Sequence, residues 1–250
     1  LLRERTEGWI AGLQMAALAL QGALTTRNAQ DASGFIQRFS GTSRYILDYL
    51  LEEVLDQQSP HIQQFLLRTS ILERLNAPLC DALLAEDQAR SAAVLADLEQ
   101  ANLFVIPLDD ERAWYRYHHL FADLLRAQLL RSIGAQGVAR LHIRAADWHI
   151  EHGSILEAIR HAATAEDDER VERLIEQNYV ELVSRGEQAQ IRFWSGTLAP
   201  ELVYSRPWLC IYEAHSHAWF GELDQAERLI EEAEKRIPAG ASDPDALPMR

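Results

Sequence analysis

Apolar residues recur at helical spacing along most of the chain, and one stretch alone reads as strand. From Leu1 to about Leu24, Trp9, Leu13, Ala16, Ala17 and Leu20 fall on one face, which predicts a helix. Further helices are expected over roughly Asp31 to Phe39 and Ser43 to Gln57, the second with Tyr45, Ile46, Tyr49, Leu50 and Val54 at i, i+3, i+4 spacing. Ser59 followed by Pro60 supplies an N-cap and a proline at the first helical position, opening a helix to about Ile71. Asn76 and Pro78 begin a short helix that ends near Leu84, and Ser91 begins another that ends near Asn102. Leu103 to Leu108 is then β-like, Asp109 to Ala113 turn-rich, and Trp114 to Tyr117 aromatic, a hairpin signature. A helix resumes from His118 to about Arg131. Three helices, a hairpin and a flanking helix is the order of a winged helix.

Beyond Gly134 the pattern repeats. Gly153, Gly186 and Gly221 lie 33 and 35 residues apart, close to the 34-residue length of a tetratricopeptide-like helix–turn–helix unit. Ala158 and Ala226, five positions after the first and third glycines, let paired helices approach, whereas Ile191 departs from that rule in the second unit. The segment from Ala239 to Arg250 reads as a linker or a loop into a further repeat. The fold class is therefore mainly α: a winged-helix domain with one β-hairpin, followed by tetratricopeptide-like α-helical repeats.

Composition narrows the function classes. A chain of 250 residues that is 48% hydrophobic can bury a core, and because it opens on Leu1 inside an apolar run we expect it to be an internal piece of a longer protein. That run is too short to span a bilayer and lacks a secretory cleavage pattern, so a soluble, cytoplasmic protein without membrane contact is expected. Cys80 and Cys210 are too few and too far apart for a disulfide framework. The net charge of −14 opposes a nucleic-acid surface, and the single lysine, Lys235, follows no glycine-rich phosphate loop. A winged helix invites a DNA-binding reading, but its third helix, "SAAVLADLEQAN", carries Asp97 and Glu99 and no basic residue, and its wing begins with Asp109 and Asp110.

Among candidate sites, His118 and His119 sit where the hairpin meets the next helix. There they either cap the helix and pack with Tyr117 and Trp114, or contact a bound phosphate at the free helix-start donors. Trp194, Trp208, Tyr212 and Trp219 are either repeat core or ligand-facing aromatics on a concave surface. His149 and His152 are i, i+3 on one helix with His142 and His161 nearby in sequence, but no cysteine or tightly spaced carboxylate completes a set, so no metal is expected. The acidic pairs Glu52-Glu53, Asp167-Asp168 and Glu231-Glu232 read as solvated surface, and no serine or cysteine sits in a nucleophile elbow. No catalytic residue is expected.

The strings "RTEGWIAGLQMAALAL", "FSGTSRYILDYLLEEVL", "FLLRTSILERLNAPLCDALL" and "LEQANLFVIPLDDERAWYRYHHLFADLLR" together resemble the middle of the MalT-type, ATP-dependent LuxR-family regulators, members of the signal-transducing ATPases with numerous domains. The resemblance covers Arg5 to Arg126 almost continuously and weakens to architecture alone after Gly134. It implies that residues 1–27 end an ATPase helical lid, 28–133 form a winged-helix arm, and 134–250 begin a helical-repeat sensor. Tyr117, His118 and His119 align with a Met-His-Asp motif whose histidine, in related regulators, holds the ADP phosphate in the resting state; the methionine and aspartate are replaced here. His118 would be the nucleotide contact. The resemblance further implies ATP or ADP with magnesium in the parent and no cofactor in this segment. The implied partners are an upstream ATPase domain, an unidentified small-molecule or protein inducer, and DNA only through a C-terminal LuxR-type domain, with self-association of the active parent. The leading expectation is a regulatory hinge and sensor that couples nucleotide state to inducer binding. A helical-repeat interaction scaffold without nucleotide coupling is the alternative, and a hydrolase ranks last.

Overall fold

The computed structural model describes residues 50–84, 91–101 and 103–237. The helices expected over Leu1 to Leu24 and Asp31 to Phe39, and the linker from Ala239 to Arg250, lie outside the described residues. The chain forms two compact units that divide between Leu141 and His142. Among the described residues, no helix is long and apolar enough to cross a membrane.

Among the described residues of the first unit, Leu50–Leu55 forms a π-helical turn, where the expected pattern called for an α-helix. The i to i+5 bond from the Asp56 N–H to the Leu51 carbonyl, 2.8 Å, accounts for the wider turn. Helix α1, Pro60–Thr69, starts where Ser59 accepts the Ile62 N–H and Pro60 occupies the first turn. Helix α2, Ala77–Leu84, starts where Asn76 Oδ1 accepts the Leu79 N–H at 2.8 Å. Helix α3, Ser91–Gln100, precedes strands β1, Val105–Pro107, and β2, Tyr115–Tyr117, which pair antiparallel with Val105 opposite Tyr117. Leu75 adds an isolated antiparallel bridge to Tyr115, so the hairpin is anchored on the α1–α2 connection as well. Within the wing, Asp109 accepts the N–H groups of Ala113 and Trp114, which shows why a carboxylate sits there: it closes the turn. Phe65, Leu75, Leu83, Leu98 and Phe121 form the buried centre, and the Tyr117 hydroxyl meets Thr69 Oγ1 at 2.7 Å inside it.

Helix α4, His119–Glu151, breaks at Gly134, whose φ of 68° and ψ of 172° leave the helical region. In the second unit α5, Ile155–Thr164, α6, Asp168–Ser184, α7, Gln188–Ser195, α8, Pro200–Ser205, α9, Pro207–Trp219, and α10, Leu223–Glu234, follow in succession. The three periodic glycines do the same job. Gly153, Gly186 and Gly221 have φ of 70°, 81° and 82°, and each is followed by an N–H that bonds five residues back: Ser154 to His149, Glu187 to Leu182, Glu222 to His217. That is a Schellman closure, which requires a left-handed residue. Ala158, Ile159, Ala162, Val171 and Ile175 are fully buried, and Ala226 is 5% exposed, consistent with small residues at the close helix contacts. Ile191 is also buried, and the second unit is irregular: α7 has only 8 residues, and α8 intervenes before α9.

A fourth closure of the same form was not visible as a glycine. Between α5 and α6, Asp167 N–H bonds the Ala162 carbonyl while Glu166 adopts φ of 58°. A non-glycine residue there costs roughly 1–2 kcal/mol, less the roughly 0.5–1 kcal/mol that glycine's unfolded-state freedom takes back. Glu166→Gly is therefore expected to raise the unfolding free energy of the second unit by roughly 0.5–1 kcal/mol. A urea denaturation midpoint that moves downward instead would contradict the turn geometry.

Candidate functional site

His118 lies between β2 and α4, immediately before the helix begins at His119. It is 4% exposed. Its backbone N–H donates to the Phe104 carbonyl at 2.8 Å, and its own carbonyl accepts the N–H groups of Phe121 and Ala122. Its Nδ1 accepts the Leu120 N–H at 3.3 Å, which satisfies one of the helix-start donors. An Nδ1 that accepts places the proton of a neutral imidazole on Nε2, making that nitrogen the donor. Phe104, at φ of 59°, holds an unusual pose for an aromatic residue; from it the ring meets His118 edge-on at 6.1 Å and Phe121 at 5.1 Å. The His119 ring stacks on His118 with centroids 4.6 Å apart. The two histidines thus differ: His118 is locked into backbone bonds on both sides, and His119 is half-buried over it.

The four repeat aromatics do not gather. Trp194 and Tyr212 pack against the second unit's core, and Tyr212 stacks on Tyr179 with centroids 3.8 Å apart. The Tyr179 hydroxyl bonds His215 Nδ1 at 2.6 Å. Trp208 is half-buried, and Trp219 alone of the four is well exposed, at 64%. A hollow of about 670 Å³ at the α9–α10 turn is lined by His217, Gly221, Glu222, Leu223, Asp224, Gln225 and Arg228, and by none of those aromatics. Of the four, Trp194 and Tyr212 pack partly buried against the core, Trp208 is half-buried and Trp219 is exposed.

The histidines of the first repeat, by contrast, converge. His142 and His149 are seven residues apart on α4, and Glu157 and His161 are four apart on α5, so each pair lines one helix face across the Gly153 turn. His142 Nδ1 and His161 Nδ1 are 2.8 Å apart, and the His149 and His161 rings stack at 5.5 Å. One ligand atom each from His149, Glu157 and His161 lies within 4.8 Å of the others. Burial, reinforced by the nearby Arg160 cation, pushes the His161 pKa down to about 2, and burial lowers that of His149 too, so both imidazoles stay neutral. Sequence reasoning grouped His152 with this cluster and left out Glu157. In the fold His152 turns away and stacks on Trp148 at 3.8 Å, while the carboxylate that the set lacked arrives from α5. Only the eight-residue separation of Glu157 from His149 across a glycine turn could have suggested it.

Asp167 and Glu232, one from each of two acidic pairs, serve the helices they sit on, and the side chains of Glu52 and Glu53 lie outside what is described. Asp167 caps α6 by accepting the Arg170 N–H at 3.1 Å, and the Arg170 side chain bridges Asp167 and Asp147. Glu232 holds Lys235 and Arg236. Cys80 and Cys210 are both buried, and burial raises both thiol pKa values, so they are thiols rather than thiolates.

Residues 51–136 match the model of the MalT winged helix domain. Along the chain, 205 residues are 36% identical to the serine/threonine-protein kinase PknK of Mycobacterium tuberculosis, covering 82% of this chain and 18% of that protein. The HTH-type transcriptional regulator MalT of Vibrio cholerae is 30% identical over 85% of this chain and 23% of its own length. MalT of Vibrio parahaemolyticus is 29% identical over 94% of this chain and 25% of its own length. The chain thus spans about a fifth to a quarter of the length of the curated relatives it matches. With helix order, wing and hairpin register in the winged-helix arrangement and these matches running through the repeats, the chain belongs to the MalT-type family.

Proposed function

We propose that this chain is the regulatory hinge and sensor portion of a signal-responsive, ATP-dependent transcriptional activator, in which the winged helix helps hold an ADP-bound resting state and the repeats report inducer binding. Residues 1–27 then end an ATPase lid, 28–133 form the arm, and 134–250 begin the sensor. The observation that carries this reading is His118: its Nδ1 accepts a backbone N–H at the start of α4, so its Nε2–H is a donor at a helix N-terminus, where an anion is favoured. The ADP phosphate is the anion in question. Magnesium and the phosphate-binding loop belong to the ATPase domain, and DNA contact to a LuxR-type domain at the C-terminal end of the complete regulator. Inducer and nucleotide act through a two-state interface, each by its differential affinity for the two states. The experiment is ADP retention and inducer-free reporter output of the complete regulator carrying His118→Ala, argued below.

The match to a protein kinase named PknK favours a second reading: a shared helical-repeat and winged-helix module that reports a signal to different outputs. Under that reading the scaffold acts without nucleotide coupling, and His118 only caps α4.

Neither reading asks this winged helix to bind DNA. The outward positions of α3 are Ala92, Ala93, Ala96, Asp97 and Gln100, with no cation among them, and Arg112 in the wing is paired with Glu99 at 2.8 Å. The chain is expected to show no salt-sensitive affinity for duplex DNA in a low-salt anisotropy titration, since counterion release needs clustered basic residues. Tight binding that weakens steeply with salt would refute that placement.

A further inference from the structure

We propose that the first repeat hairpin holds a divalent transition-metal ion of the zinc class, with His149, His161 and Glu157 as ligands and His142 orienting His161. The site is built rather than incidental. His149 is 5% exposed and His161 fully buried, and His149 Nδ1 is a buried nitrogen without a hydrogen-bond partner. Buried polar atoms are almost always satisfied, so an orphan nitrogen on a histidine that brings a ligand atom within 4.8 Å of a second imidazole and a carboxylate points to a bound ion.

Chemistry selects the ion. Two neutral imidazoles and one carboxylate suit zinc, cobalt or nickel, whereas magnesium and calcium require oxygen donors. In a tetrahedral set with bonds of about 2.0–2.1 Å the donors sit roughly 3.4 Å apart, so the present separations of up to 4.8 Å close by small side-chain rotations. The fourth position falls to water. Contact of His161 Nδ1 with His142 Nδ1 at 2.8 Å occupies that nitrogen and makes Nε2 of His161, which Arg160 Nη2 meets at 3.5 Å, the atom that would take the ion in place of Arg160, the arrangement by which an outer partner fixes the tautomer of a metal-binding histidine.

One group opposes the ion. Arg160 donates to Glu157 Oε2 at 2.6 Å and lies 3.5 Å from His161 Nε2. Arg160 Nε and Nη2 both donate to Glu157 Oε2, at 2.9 and 2.6 Å, so the ion would take Oε1. The guanidinium is partly exposed, and its charge weakens the site, so the ion has to displace it from His161 Nε2.

The test titrates zinc, by calorimetry, and cobalt, by visible absorption, into the full metal-stripped chain. One ion per chain is expected, with cobalt bands of a tetrahedral nitrogen–oxygen set and no thiolate charge-transfer band. His149→Ala should weaken binding about tenfold or more, and Glu157→Gln, at a half-exposed position that does not threaten folding, should do the same. Arg160→Met should tighten binding, and His152→Ala should leave it unchanged. Zinc should also raise the melting temperature of the unaltered chain and not that of the Glu157→Gln variant. Absence of binding, or binding that survives Glu157→Gln and is lost instead in Cys80→Ser or His217→Ala, overturns the proposal.

Discussion

Replacing His118 by alanine in the complete regulator is expected to loosen ADP by roughly ten- to 150-fold, the loss of one charge-assisted hydrogen bond of about 1.5–3 kcal/mol. On the proposed reading, in which ADP stabilises the inactive conformer, a smaller ADP affinity shifts the balance, and transcription should start at lower inducer concentration. Alanine also removes the acceptor of the Leu120 N–H, and losing such a cap costs about 0.5–2 kcal/mol of local stability. The two effects separate with His118→Asn. Asparagine is a good helix-start acceptor but too short to place a donor where the imidazole Nε2 lies. If the nucleotide reading holds, asparagine behaves like alanine in ADP retention while melting like the unaltered protein. If asparagine restores both, His118 is a cap.

Phe121→Ala is expected to have the largest effect on folding. Phe121 is fully buried at the start of α4, with Phe104 at 5.1 Å and Tyr117 at 6.2 Å, so truncation opens a cavity that three elements line. Phenylalanine-to-alanine changes in cores cost about 3–5 kcal/mol. Against a domain stability of about 5–15 kcal/mol, that consumes a large part of what holds the first unit together. With a urea slope of about 1–3 kcal/mol per molar, the midpoint of that unit's transition should fall by at least ~1 M. Phe121→Leu, closer in volume, should cost about 1.5 kcal/mol or less. The Phe121→Ala variant should also lose ADP retention in the complete regulator, since the same ring fixes Phe104 against His118.

What could be read from the sequence was whatever local chemistry decides. Ser59 and Pro60 start α1, Asn76 caps α2, Asp109 closes the wing, and the three spaced glycines stop helices in left-handed turns, each by an interaction within a few residues. What stayed hidden depends on neighbours distant in sequence or on strain that composition does not mark. Leu75 bridges Tyr115 across forty residues, Glu166 takes a glycine's role at φ of 58°, and Leu50–Leu55 widens to a π-helical turn. Glu157 joined the histidines only once the Gly153 turn laid α5 along α4. The aromatics were ambiguous because aromatic side chains serve cores and ligand faces equally well; in the fold Trp194 and Tyr212 are partly buried against the core and Trp219 is exposed. For His118 the residue was visible in the sequence, but its tautomer needed the Leu120 N–H.

The proposed coupling of this winged helix to nucleotide is tested most directly by the rate at which the complete regulator releases fluorescent ADP, compared between the unaltered protein, His118→Ala and His119→Ala, with circular dichroism confirming that each remains folded. His119 occupies the next position and stacks over His118, whose Nδ1 accepts the Leu120 N–H. The account predicts release roughly ten- to 150-fold faster for His118→Ala and close to unaltered for His119→Ala. Equal, negligible changes at both positions would contradict it and leave the pair as a cap and packing element of the winged helix.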